Sequence, residues 1–141
     1  MFRTSDAFRI NEIYLCGITA TPDNSLTEIH KTALGAEDSV KWEYYSNTID
    51  VVEKLKMEGY TIVSVEQVEQ SIKLDEFKAD SSKHYALILG NEVKGVQQEV
   101  VDISDISLEI PQYGTKHSLN VSVSAGIVLW EFAKQLKNML D

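Results

Sequence analysis

The segment Leu87-Ile88-Leu89-Gly90-Asn91-Glu92-Val93-Lys94-Gly95-Val96 carries an apolar run into a short loop that holds an amide, a carboxylate and two glycines. Glycine lets a ligand or a second stretch of backbone come close. Asn91 and Glu92 would stand just past a strand end. A plain strand-to-helix turn also explains a loop this short. A phosphate-binding P-loop does not, because Lys94 is followed by glycine and valine rather than closing a Gly-Lys-Ser/Thr sequence.

A second stretch, Ile110-Pro111-Gln112-Tyr113-Gly114-Thr115-Lys116-His117-Ser118-Leu119-Asn120, leaves another apolar run and enters a helical pattern. Ser118 and Asn120 suit helix N-caps. Ser122, Ser124, Ala125 and Gly126 follow, all small, ahead of Leu129, Trp130 and Phe132. Small residues let backbones pack closely, which capping alone does not require. They suit a segment tucked through or under another.

Other chemistry is scarce. Cys16 is the single cysteine, so neither an internal disulfide nor a cysteine-based zinc centre can form. Its setting, Tyr14-Leu15-Cys16-Gly17, reads as a buried strand end with an inert thiol. His30, His84 and His117 share no ligand-like spacing, and no metal is expected. The net charge of −9 and pI near 4.8 count against nucleic acid unless the positive charge is segregated on one face or supplied by another domain or protomer.

The elements that would position these residues alternate along the chain. Strand-like runs occupy Glu12–Cys16, Val40–Tyr45, Thr61–Val65, Tyr85–Leu89 and Ser107–Ile110. Ser46-Asn47 offers a cap for a helix carrying Ile49, Val52 and Leu55, and Gly59 suits its left-handed exit. A shorter helical pattern covers Leu26–Ala33. The clearest stripe is Val121, Ala125, Val128, Leu129, Phe132, Leu136 and Leu140. Such alternation predicts an α/β fold with a mostly parallel sheet flanked by helices. Ligands bind such sheets beyond the carboxyl ends of the strands, which here means after Leu89 and after Ile110. No linker or repeat divides the 141 residues, no apolar run could span a bilayer, and the N-terminus has no signal-peptide core. A soluble intracellular protein is expected.

Gly90-Asn91-Glu92 with Gly95, then Ile110-Pro111, Ser118-Leu119-Asn120-Val121-Ser122-Val123 and Leu129-Trp130-Glu131, resemble motifs two and three of the SpoU branch of the SPOUT methyltransferases. Arg3-Thr4-Ser5-Asp6-Ala7-Phe8 is similar to the second half of motif one. Lys31-Thr32-Ala33-Leu34-Gly35-Ala36 is similar to the TrmH-like subgroup. The resemblance spans nearly the whole chain and is densest from Ala86 to Glu131.

The resemblance implies one catalytic domain over residues 1–141, with a deep C-terminal trefoil knot, itself an exception to the rule against threading. It implies a cytoplasmic homodimer that moves a methyl group from S-adenosylmethionine to a ribose 2′-hydroxyl of tRNA or rRNA. Backbone around Leu89, Gly90, Ile110 and Leu119 would hold the methyl donor, with Val65 and Glu66 near its adenine. Arg3 would sit at the acceptor, where stabilising a phosphate or developing charge is easier for a guanidinium than acting as a base. Glu92, Ser118 and Asn120 would hold that arginine and shape the catalytic site. Family members carry a strand and an Asn ahead of the arginine, so the resemblance implies that a first strand is missing here. A second reading stays open: a non-catalytic remnant that dimerises and binds cofactor or RNA without turnover. A generic nucleotide-binding α/β domain, the third reading, would have no knot and no affinity for S-adenosylmethionine.

Overall fold

The computed structural model describes residues 2–17, 40–90, 95–115 and 119–137. The chain divides into two compact units, Met1–Val51 and Val52–Asp141. In the first unit, α1 (Phe2–Ala7) is a short helix with Ser5 buried. It ends where Arg9 takes a left-handed φ of 54° and Ile10 N–H donates to Ser5 O at 2.9 Å. β1 (Glu12–Cys16) and β2 (Lys41–Tyr45) then pair in parallel, from Glu12 opposite Lys41 to Cys16 opposite Tyr45. Alternation in β1 turns Ile13 and Leu15 inward against Val40 and Trp42. The Tyr44 phenol donates to the Gly17 carbonyl, fastening β2 to the end of β1. The helix expected at Leu26–Ala33 lies outside the described residues.

α2 (Thr48–Met57) starts directly after Ser46-Asn47, where the sequence predicts its cap. It ends as predicted too. Gly59 takes φ 90°, its N–H donates to Lys56 O, and Tyr60 N–H donates to Leu55 O. A glycine is favoured there because other residues pay a steric cost in the left-handed region.

The second unit is built on a four-stranded sheet in the order β4-β6-β3-β5, every described ladder parallel. Its strands are β3 (Thr61–Val65), β4 (Ile72–Lys73), β5 (Tyr85–Leu89) and β6 (Ile106–Glu109). Three of the five expected strands match. Val40–Tyr45 is shorter by one residue, and Ser107–Ile110 is shifted by one, within the usual uncertainty of element ends. The two-residue β4 and the six-residue α3 (Gln98–Ile103) are not predicted. Neither is long enough to show a period, and α3 buries only Val100.

β3 is buried on both faces. Val63 is 0% exposed and points into a core with Leu74, Phe77, Leu108, Val128 and Phe132. The last two belong to α4 (Val121–Gln135), whose predicted stripe is the one that is buried: Ala125, Val128, Leu129 and Phe132. Phe132 meets the rings of Phe77 and Tyr85 at centroid separations of 5.3 and 5.2 Å. On the opposite face Ile62 and Ser64 are also 0% exposed, and Ser64 Oγ meets Ser104 Oγ just past α3. Burying some 1.5–3 kcal/mol worth of side chain at each apolar position holds the strand ends in fixed relation.

Candidate functional site

Parallel pairing brings three strands to a common edge. Val65, the last residue of β3, stands in register with Leu89 at the end of β5 and with Leu108 of β6. Glu66, Gly90 and Ile110 continue from those ends. The structure thus gathers Val65, Glu66, Leu89, Gly90 and Ile110 at the carboxyl edge of one sheet. Val65 and Ile110 pack their side chains against the core beneath α4, so backbone is what they can offer a ligand.

Past β5 the chain closes on itself. A Cβ added to Gly90 would lie 2.0 Å from the Gly95 carbonyl carbon and 2.3 Å from the Val96 nitrogen. No side chain fits there, because the backbone at Gly90 lies directly against that of Gly95 and Val96. Gly95 has φ 66°, and a Cβ on it would lie 2.3 Å from Glu66 Oε2. The Glu66 carboxylate takes up that space: Oε2 accepts from Val96 N–H at 2.9 Å and Oε1 from Gln67 N–H at 3.1 Å. Glu92, expected in the catalytic group, stands between the two glycines in sequence and lies outside the described residues.

The loop after β6 is built differently. Tyr113 is 92% exposed, and a Cβ on Gly114 would meet nothing within 4 Å. Ser118 lies outside the described residues. Leu119 is exposed, and Asn120 opens α4 with its Oδ1 accepting from Ser122 N–H at 2.8 Å. That N-cap is the plain reading of Asn120, and the geometry bears it out. Arg3 is an exposed residue of α1 in the first unit.

Glu66 is named from the motif resemblance, but the hold of its carboxylate on the backbone at Val96 is not foreseen, because an acid just beyond a strand looks like any solvated charge. Gln135 escapes sequence reasoning altogether. Its Oε1 accepts from Ala79 N–H at 2.6 Å and its Nε2 donates to Phe77 O at 3.0 Å and to Glu131 Oε2 at 2.8 Å. It ties the segment before β5 to α4. Glu131, receiving hydrogen bonds from Gln135 and Lys134, has its carboxyl held below the usual range.

Cys16 fits the inert reading. Burial pushes its thiol up, against a smaller opposing hydrogen bond from Thr48, and a thiol kept protonated is a poor nucleophile. Among the described residues no cluster of His, Cys, Asp or Glu could hold a metal ion, and no helix is long and apolar enough to cross a membrane. An open cleft of about 330 Å³ lies beside the start of β6, lined by Val68, Gln70, Ile72, Gln98, Asp102 and neighbours. It includes none of the residues named above for the site.

Known proteins resemble this chain along most of its length. The pattern of the SpoU rRNA Methylase family matches residues 1–130. A tRNA (guanosine(18)-2′-O)-methyltransferase from Aquifex aeolicus is 38% identical over 102 residues, covering 70% of this chain and 47% of the relative. Among solved structures, the A. aeolicus TrmH/SpoU tRNA modifying enzyme superposes with a TM-score of 0.83 at 31% identity, covering 98% of this chain and 68% of that one. An AdoMet-bound rRNA methyltransferase from Sinorhizobium meliloti gives a TM-score of 0.84 at 29% identity, covering 96% of this chain and 50% of that one. The chain spans about half the length of the curated relatives it matches.

Proposed function

This chain belongs to the SpoU rRNA methylase family, and from that premise we propose that it transfers a methyl group from S-adenosylmethionine to a ribose 2′-hydroxyl of tRNA or rRNA. One observation carries the reading. Three adjacent parallel strands end together at Glu66, Gly90 and Ile110, with the backbone at Gly90 directly against that of Gly95 and Val96. Such an edge is where open α/β sheets take nucleotide-like ligands.

The donor set fits a nucleoside carrying an amino acid. Val65 and Ile110, with their side chains turned to the core, leave backbone groups at the edge, and the crowded backbone at Gly90 and Gly95 concentrates amide and carbonyl groups there. When bound, S-adenosylmethionine supplies a methyl group already activated by its sulfonium. Backbone around Leu89, Gly90, Ile110 and Leu119 holds the donor in this reading, leaving the chain to position the acceptor and manage its proton. Arg3, exposed on α1, meets an RNA phosphate or the charge developing at the acceptor oxygen. Glu92, Ser118 and Asn120 hold that guanidinium and shape the site.

The same reading extends to the whole molecule. Residues 1–141 form one catalytic domain, and the small residues Ser122, Ser124, Ala125 and Gly126 belong to a threaded, knotted C-terminal segment. The chain works as a homodimer in the cytoplasm. Val123, Ile127 and Trp130 support the dimer: they are 51%, 38% and 55% exposed and share a face of α4 at helical spacing. A partner copy also offers a way for an acidic chain to assemble a basic RNA surface.

Calorimetric titration with S-adenosylmethionine followed by methyl transfer to unmodified tRNA and rRNA tests the proposal. Digestion of the product should release a 2′-O-methylated nucleoside. Donor binding without transfer selects the non-catalytic reading, and transfer to a base rather than a ribose refutes the reaction. Sedimentation of the chain reports the dimer.

A further inference from the structure

We infer that Glu66 is a positioning residue that sets the shape of the donor cradle by clamping the loop after β5. The inference rests on the proposed donor site and assigns the carboxylate a task that the family resemblance does not: it works through the loop backbone.

Glu66 is well placed for this. Its own N–H donates to Leu108 O at 2.9 Å, so its backbone extends the β3–β6 ladder and is as fixed as the strand. From there the half-buried side chain reaches the backbone at Gly95 and Val96. It meets Val96 N–H and lies where a side chain on residue 95 would have to go. Gly90, Gly95 and Glu66 therefore interlock. The glycines permit the crossing of two backbones, and the carboxylate fastens it.

A neutral acceptor would serve less well. Two backbone N–H groups, of Val96 and Gln67, converge on the two carboxylate oxygens. A glutamine offers one oxygen and must set its NH2 against the other N–H group. Hydrogen bonds to a charged acceptor are also the stronger kind. The carboxylate is thus matched to its pair of donors.

The test compares Glu66→Ala and Glu66→Gln with the unaltered 141-residue chain in two measurements. Hydrogen exchange reads the clamp without any ligand. Exchange at the Val96 amide should quicken at least tenfold in Glu66→Ala and less in Glu66→Gln, while amides inside β3 and β5 keep their protection. Unchanged exchange at Val96 overturns the clamp. Calorimetry with S-adenosylmethionine reads the consequence. Affinity should fall at least tenfold in Glu66→Ala and be partly restored in Glu66→Gln, at an unchanged melting temperature. Equal affinity in a folded Glu66→Ala chain overturns the positioning role. Failure of the unaltered chain to bind the donor counts against the proposed function instead, and the exchange arm still decides the clamp. Should Glu66→Ala not fold, the ranking of Glu66→Gln against the parent decides both arms.

Discussion

Two loops leave the same edge of the same sheet, and they are held in opposite ways. The one after β5 is gathered at its base by Gly90, Gly95 and the Glu66 carboxylate, with no space for even a methyl group. The one after β6 has Tyr113 in solvent and open space around Gly114, and the nearest support described for it is the Asn120 cap at the start of α4. Neighbouring positions in a fold can thus carry unequal structural debts. The base of the first loop is fixed by the protein's own atoms, whereas Tyr113 and Gly114 of the second have open space around them.

The largest expected effect separates the two glycines. Gly90→Ala drives a methyl into backbone atoms that cannot step aside. Overpacking of this kind costs about 1–3 kcal/mol or more, and donor binding should be lost with it. Gly114→Ala should change stability by under about 0.5 kcal/mol. Chemical denaturation of the two variants checks the contrast, and equal effects would erase it.

Gly95→Ala comes next. It has a left-handed φ to sustain, at about 1–2 kcal/mol, but its steric opponent is the far end of a side chain that can swing away. Its destabilisation should be smaller than that of Gly90→Ala. The Val96 amide should lose protection along with it, since Glu66 must move.

Asn120 tests the second loop. Asn120→Ala removes a cap worth about 1 kcal/mol, whereas Asn120→Asp keeps an acceptor for Ser122 N–H. If Asn120 is only a cap, Asp restores both stability and methyl transfer. A transfer rate that stays depressed in a stable Asp variant places the amide at the reacting groups.

The smallest effect belongs to Glu131, farther along α4. Hydrogen bonds from Gln135 and Lys134 depress its carboxyl below the ordinary value. A depressed acid contributes stability above the ordinary carboxylate range, near pH 4, and loses it as pH falls through the lowered value. Glu131→Gln should therefore lower stability slightly at neutral pH, with the difference from the unaltered chain vanishing as pH falls through the lowered value. Thermal melts across that range measure it.

Legibility in the sequence followed the length scale of the signal. β1, β3 and β5 are runs of β-branched and aromatic residues bounded by turn signals, and α4 has a stripe repeated over four turns; each could be read directly. The edge where ligands belong followed from the alternation of those elements. α3 and β4 were not legible, because six and two residues cannot display a period. The interlock of Gly90, Gly95 and Glu66 was half legible. Two glycines in one loop announced a close approach. Which atoms approach was settled by a carboxylate thirty residues earlier in the chain than its partner Val96, and a pairing that distant leaves no local trace. Asn120 was legible as a cap because capping is a nearest-neighbour matter. For Glu92 and Ser118 only the motif resemblance speaks.

The strand order has a consequence for how the protein comes into being. β6 is the last of the four strands to be synthesised, yet it is seated between β3 and β4. Until it arrives, β3 has an open flank and β4 has no described neighbour in the sheet. Contacts between residues so far apart in sequence form slowly. The nascent chain must therefore wait, with a half-finished sheet, for its final third before the ends of β3, β5 and β6 can meet.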